Sequence, residues 1–167
     1  MKKEYLFIAM SLVGLVVFYL LLRKVGLIKS PEQQALRAEK KATKEEKKNI
    51  KSSLTKLSAF DPKYYKEANN PRLLTVDSAI KVSENLRKYI GQLNLIKSTV
   101  IGNILNAGKN EKSKIFGLFK AIPAKTEVSQ VSDAYFKAYK ADLLTDLSNV
   151  LTNAELVELK NVVANMV

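Results

Sequence analysis

The chain has 167 residues and a net charge of +12, from 28 Lys and Arg against 16 Asp and Glu; this length suits one membrane segment plus one modest globular domain. Cysteine, histidine and tryptophan are absent. That excludes disulfides, thiolate metal sites and a cysteine nucleophile, and it removes the commonest general base and zinc ligand. The lack of cysteine fits a reducing compartment.

The first predicted element is the uncharged run Tyr5 to Leu22, YLFIAMSLVGLVVFYLLL. As a helix rising ~1.5 Å per residue it spans ~27 Å, close to the hydrocarbon thickness of a bilayer. Only a helix satisfies such a segment's own backbone groups in lipid. Tyr5 and Tyr19 lie near its ends, where amphipathic rings prefer the interface. Phe7, Leu12, Leu15, Phe18 and Leu22 supply the apolar surface. A cleaved signal peptide would share the Lys2-Lys3 start, but its apolar core is shorter and ends in a small-residue cleavage site. This run ends Leu20-Leu21-Leu22-Arg23-Lys24. A buried core helix would be shorter and amphipathic. Residues 1–28 are therefore expected to be a single transmembrane anchor.

The charge is concentrated beside that anchor. Residues 23–67 carry thirteen Lys/Arg against six Asp/Glu, whereas residues 68–167 carry thirteen against nine. Arg23, Lys24, Lys29, Arg37, Lys40 and Lys41 outweigh Lys2, Lys3 and the terminal amine, so the positive-inside rule places the C-terminal bulk in the cytoplasm.

Residues 29–59 read as a charged helical stalk. Ser30-Pro31-Glu32 has the chemistry of a helix start, and the run to about Ala59 is rich in helix formers. Arg37, Lys41, Lys44, Lys48 and Lys51 recur at spacings of four and three, which puts them on one stripe. Like charges so placed repel. With Arg23, Lys24 and Lys29 they are candidate contacts for lipid head groups or nucleic acid; a solvated helix face is the plainer alternative. Ile50, Leu54 and Leu57 form an apolar edge suited to docking on the domain beyond.

Residues 60–76 form a turn and linker, with FDPKYYKEANNP carrying two prolines and adjacent asparagines. Its three aromatics are expected to pin the loop to the bundle, because base stacking needs a supporting sheet or groove. From residue 77 to 167 the periodicity is helical. Thr75 or Asp77 caps a helix with Ala79, Val82, Leu86, Tyr89 and Ile90 on one face, weakened or broken at Gly91-Gln92. Ile96, Val100, Ile101, Ile104 and Leu105 make a second stripe, and Ile115, Leu118, Phe119 and Ile122 a third, stopping before Pro123. Thr126 is expected to cap a helix carrying Val128, Val131, Tyr135 and Tyr139. Asp142 opens a short helix, and the capping box Thr152-Asn153-Ala154-Glu155 starts the last. The fold class is thus all-α, a five- or six-helix bundle behind an anchor and stalk, with helix-dominated contacts expected to give fast folding.

The run EKSKIFGLFKAI, then TEVSQVSDAYFKAYK, ADLLTDLSNVLT and NAELVELKNVV resembles a single annexin-type repeat, most closely at AYFKAYKADLLTDL. The resemblance covers about residues 111–167 and implies fold more than function. Annexins stack four repeats and bind calcium through G-x-G-T loops. Here one repeat is found, and the corresponding loop, residues 107–114, has one glycine and three lysines, poor ligands for a divalent cation. No metal or cofactor is expected. The layout of anchor, charged stalk, FDPxYY turn and annexin-like bundle is also similar to small membrane-anchored proteins of bacteria and phages, some encoded beside virion genes.

Three function classes follow. The first is a non-enzymatic membrane-anchored structural protein, in its sharpest form a virion membrane-associated minor capsid protein, with a protein partner for the bundle. A holin-like lysis protein or a cellular membrane scaffold is the alternative. A carboxylate-dependent hydrolase would need two converging acids, yet the bundle's acids fall at caps and on polar faces, with no phosphate loop or nucleophile elbow.

Overall fold

A computed structural model describes residues 31–69, 71–98 and 108–167, together with Phe18, Leu21 and Lys24. The expected anchor, with Tyr5, Phe7, Leu12, Leu15, Tyr19 and Leu22, lies outside the described residues apart from Phe18 and Leu21, which are helical and exposed. Arg23, Lys29 and the stripe from Val100 to Leu105 lie outside them as well. Among the described residues every regular element is a helix, and no helix is long and apolar enough to cross a membrane.

The chain divides into two units, Met1–Lys44 and Glu45–Val167. Helix α1 (Pro31–Thr55) begins with proline at its first position and Glu32 in its first turn, as the start signal predicts. In the second unit its end is built into the bundle. Leu54 is fully buried, and Ile50 and Leu57 pack against the core. Lys51 Nζ donates to Thr145 Oγ1 at 2.8 Å, and Asn153 Nδ2 donates to Glu46 Oε2 at 2.7 Å. The second unit therefore starts about fifteen residues before the sequence boundary at 60. The helix stops at Thr55 rather than near Ala59: Leu57 N–H and Ser58 N–H donate to the carbonyls of Leu54 and Thr55, and Ser58 takes a left-handed φ of 58°.

The FDPKYY segment folds as a turn followed by the one-turn helix α2 (Tyr64–Glu67). Asp61 Oδ1 accepts from Lys63 N–H at 2.9 Å, an Asx-type turn. Phe60 is buried with its ring 5.9 Å from that of Phe119. Helix α3 (Val76–Ser98) is capped by Thr75, whose Oγ1 accepts from Ser78 N–H at 3.2 Å. It runs unbroken through Gly91 and Gln92, contrary to the expected weakening. Mid-helix glycine costs ~1 kcal/mol relative to alanine, but the buried stripe Leu86, Ile90 and Leu93 continues past it and offsets that cost.

Helix α4 (Lys109–Ala121) starts after Gly108, whose φ of 83° is left-handed, and ends before Pro123. Helix α5 (Lys125–Tyr139) begins one residue before the expected cap. Thr126 does not cap it; its hydroxyl donates instead to Arg72 O at 2.6 Å. α5 packs against α2, α3 and α6, and buries Val128, Val131 and Tyr135 together with Ser129, Ser132 and Asp133. After Lys140 in the left-handed region, α6 (Leu143–Val150) is capped by Asp142, which accepts from Thr145 N–H at 2.6 Å. α7 (Asn153–Ala164) opens with the expected capping box between Thr152 and Glu155, and packs on α4.

Candidate functional site

The predicted basic stripe is present on α1 but not as one uniform face. Arg37, Lys41, Lys44 and Lys48 are exposed, and so is Lys24. Among the described residues none of these four stripe members forms an ion pair. Lys51 is different, being half-buried with its ammonium on Thr145. Four cations thus meet water while the fifth is spent inside the bundle's own architecture.

The loop clamp explains the aromatic segment. Tyr65 Oη donates to Asp133 Oδ2 at 2.9 Å, and Tyr65 N–H donates to Ser129 Oγ at 3.0 Å. The Ser129 hydroxyl in turn donates to Asp61 O. Lys137 Nζ lies 2.6 Å from Asp133 Oδ2, and Lys66 Nζ lies 3.8 Å from Asp133 Oδ1. Burial opposes charge on Asp133, but the hydrogen bonds from Lys137 and Tyr65 and the charges of Lys137 and Lys66 outweigh it, holding the carboxyl below its usual range. Burial and the bond to Asp133 push the Tyr65 phenol up. Tyr65, with the buried Phe60, therefore pins the loop, as expected of these two aromatics.

A second polar knot joins α3, α5 and α6. Tyr135, fully buried, donates to Asp146 Oδ2 at 2.8 Å. Arg87 Nη1 lies 3.1 Å from the same oxygen and 3.3 Å from Tyr135 Oη, with its guanidinium 5.3 Å from the Tyr139 ring centroid. Burial pushes the Tyr135 phenol up to about 12, with Asp146 reinforcing and Arg87 opposing the shift. Asp146 thus joins Arg87 and Tyr135 instead of standing as an isolated polar-face charge.

Three further bundle acids are also engaged. Glu127 is buried and pairs with Arg72 at 3.2 Å, Glu155 pairs with Lys112 at 2.8 Å, and Glu158 with Lys120 at 3.6 Å. Asp77 and Glu84 are exposed. Among the described residues no three acids converge in a group that could hold a metal ion. Between α3 and α5 lies an open groove of about 410 Å³, floored by Ala79 and Ala134 with Val76 and Ile80 exposed, and rimmed by Tyr65, Glu84 and Lys137.

One cluster was not visible in the sequence. Lys47 and Lys97, from α1 and α3, reach carbonyls at the end of α6, and Lys112, from α4, reaches Glu155 in the first turn of α7. α6 has no basic residue in its own last turn; Lys47 and Lys97 approach its C-terminal carbonyls from elsewhere in the chain. Partial withdrawal from water lowers Lys47, with Glu155 opposing. The same withdrawal, reinforced by Lys47 and Lys112, lowers Lys97. No spacing rule links residues so far apart.

No family model, curated protein or solved structure matches this chain.

Proposed function

We propose that this chain is a non-enzymatic, membrane-anchored structural protein. In this reading Tyr5–Leu22 crosses a bilayer once, the exposed basic face of α1 meets anionic head groups or nucleic acid, and the bundle binds another protein. The carrying observation is the adjacency of an uncharged helix-length run to a helix whose Arg37, Lys41, Lys44 and Lys48 are exposed and form no ion pair among the described residues. Each cation held near an anionic surface contributes ~1 kcal/mol, within a Debye length of ~8 Å.

The acids support a non-catalytic role, because Asp133, Asp146, Glu127 and Glu155 serve ion pairs, and Asp142 and Glu155 serve caps. The succession of α4 to α7, with Asp142 capping the third, supports reading this stretch as one annexin-like repeat. The sharpest form of the proposal is a minor capsid protein seated in a virion's internal membrane, with the C-terminal domain on the basic, inner side.

Alkaline extraction of membranes from expressing cells, or of purified virions, tests anchoring. The full chain is expected to stay with the bilayer, and deletion of residues 5–22 to release it. Recovery of the intact chain in the soluble fraction would refute the proposal. Flotation with anionic vesicles should weaken when Arg37, Lys41, Lys44 and Lys48 are all changed to glutamate.

A further inference from the structure

The end of α6 and the first turn of α7 take ammonium contacts from three other helices. Lys47 Nζ donates to Leu151 O at 2.9 Å, Lys97 Nζ donates to Asn149 O at 2.7 Å, and Lys112 Nζ lies 2.8 Å from Glu155 Oε1. The negative end of a helix dipole attracts cations, which accounts for the first two contacts. It does not balance the charge. Glu155 is the one carboxylate in ion-pair contact with the trio among the described residues, and its other oxygen accepts from Thr152 N–H at 2.8 Å. Glu46, the second acid at this turn, is held by the Asn153 amide. Each ammonium carries three donors, and the contacts above account for one apiece.

We infer that this cluster is an anion site for a phosphoryl group, whose terminal oxygens bridge the ammonium groups of Lys47, Lys97 and Lys112. Three point-like cations arriving from separate helices suit a tetrahedral group with several terminal oxygens. A carboxylate presents two oxygens in one plane and is better matched by the flat fork of arginine. Burial is the first cause that holds Lys97 down and repulsion by Lys47 and Lys112 the second; a bound phosphoryl group offsets the second. The chemistry is the same for a soluble oligophosphate and for a phospholipid head group. It is also independent of whether Tyr5–Leu22 crosses a bilayer.

The test uses the full chain in neutral-detergent micelles, with the lysine side-chain methylenes followed by NMR. Inorganic pyrophosphate is added at constant ionic strength, with chloride as the control. The signals of Lys47, Lys97 and Lys112 are expected to shift together and saturably, and the Lys97 titration to move up. Lys97→Met keeps the aliphatic stem and removes the charge; it should weaken binding about tenfold. Lys120→Met, at a separate ion pair, should leave binding unchanged. A second arm places the chain in phosphatidylcholine nanodiscs with or without phosphatidic acid. The same three shifts on adding phosphatidic acid identify a lipid source, and shifts with pyrophosphate alone identify a soluble one. Shifts no larger than those from chloride in the first arm, together with none in the second, overturn the site. So does Lys97→Met binding as tightly as the parent. A chain that is soluble without detergent yet binds pyrophosphate refutes membrane anchoring and leaves the site standing.

Discussion

The Tyr65 hydroxyl donates to the Asp133 carboxylate at 2.9 Å across 68 positions of sequence, and this bond ties the proline-rich turn to the middle of α5. Removing the phenol oxygen alone, in Tyr65→Phe, should cost about 1 kcal/mol. Asp133→Ala should cost more, about 2–3 kcal/mol, because it strands the Tyr65 hydroxyl as well as Lys137. Urea denaturation midpoints of the two variants and their double mutant measure the coupling; additive losses would show that the contact carries no energy of its own.

Acid should loosen the bundle through the same carboxylate. Asp133 and Glu155 both lie below their ordinary values. For Glu155, burial alone would raise the value, and bonds from Lys112 and Thr152 reverse it. The unfolded chain therefore takes up protons first as pH falls. The stability these groups contribute is present above the ordinary carboxylate range near 4 and is lost as pH drops through and below it. Asp133→Asn and Glu155→Gln should each flatten the acid limb of a stability–pH curve; an unchanged limb in both would contradict the assignment.

At the alkaline end Tyr135 dominates. Its phenol is pushed up to about 12, against an ordinary value near 10. Its contribution is full below pH ~10 and is lost between ~10 and ~12, where the unfolded phenol ionises and the buried one does not. Ultraviolet titration should show Tyr65 and Tyr135 ionising later than free tyrosine, and Tyr135→Phe should remove the component near pH 12.

Leu54→Ala should destabilise the bundle by about 2–5 kcal/mol, since the side chain is fully buried. Leu36→Ala, on the same helix at 51% exposure, should change stability by no more than about 0.5 kcal/mol. Equal effects would mean that the end of α1 is not part of the core.

What the sequence reveals here is mostly local. Asp142 and the Thr152–Glu155 box are legible because a cap and its target lie three residues apart, and the Ile50, Leu54 and Leu57 edge because helical periodicity repeats within two turns. Thr126 misleads for the opposite reason: its hydroxyl is taken by Arg72 O, 54 positions away, a competitor that no window contains. Gly91 misleads because tertiary burial on either side outweighs its propensity. The lysine cluster is assembled from partners 52 and 104 positions apart. It could be found only once α1, α3 and α4 were placed around the end of α6.

The docking of α1 also bears on how the protein is made. Lys47 waits for Leu151 and Glu46 for Asn153, separations of 104 and 107 positions, so quick closure through neighbouring helices is only part of the route. At ribosomal rates of ~5–20 residues per second, those partners are synthesised roughly 5–20 s after α1. Through that interval the nascent chain carries an unfilled apolar seam at Ile50 and Leu54, a natural landing place for a holdase until the last two helices arrive.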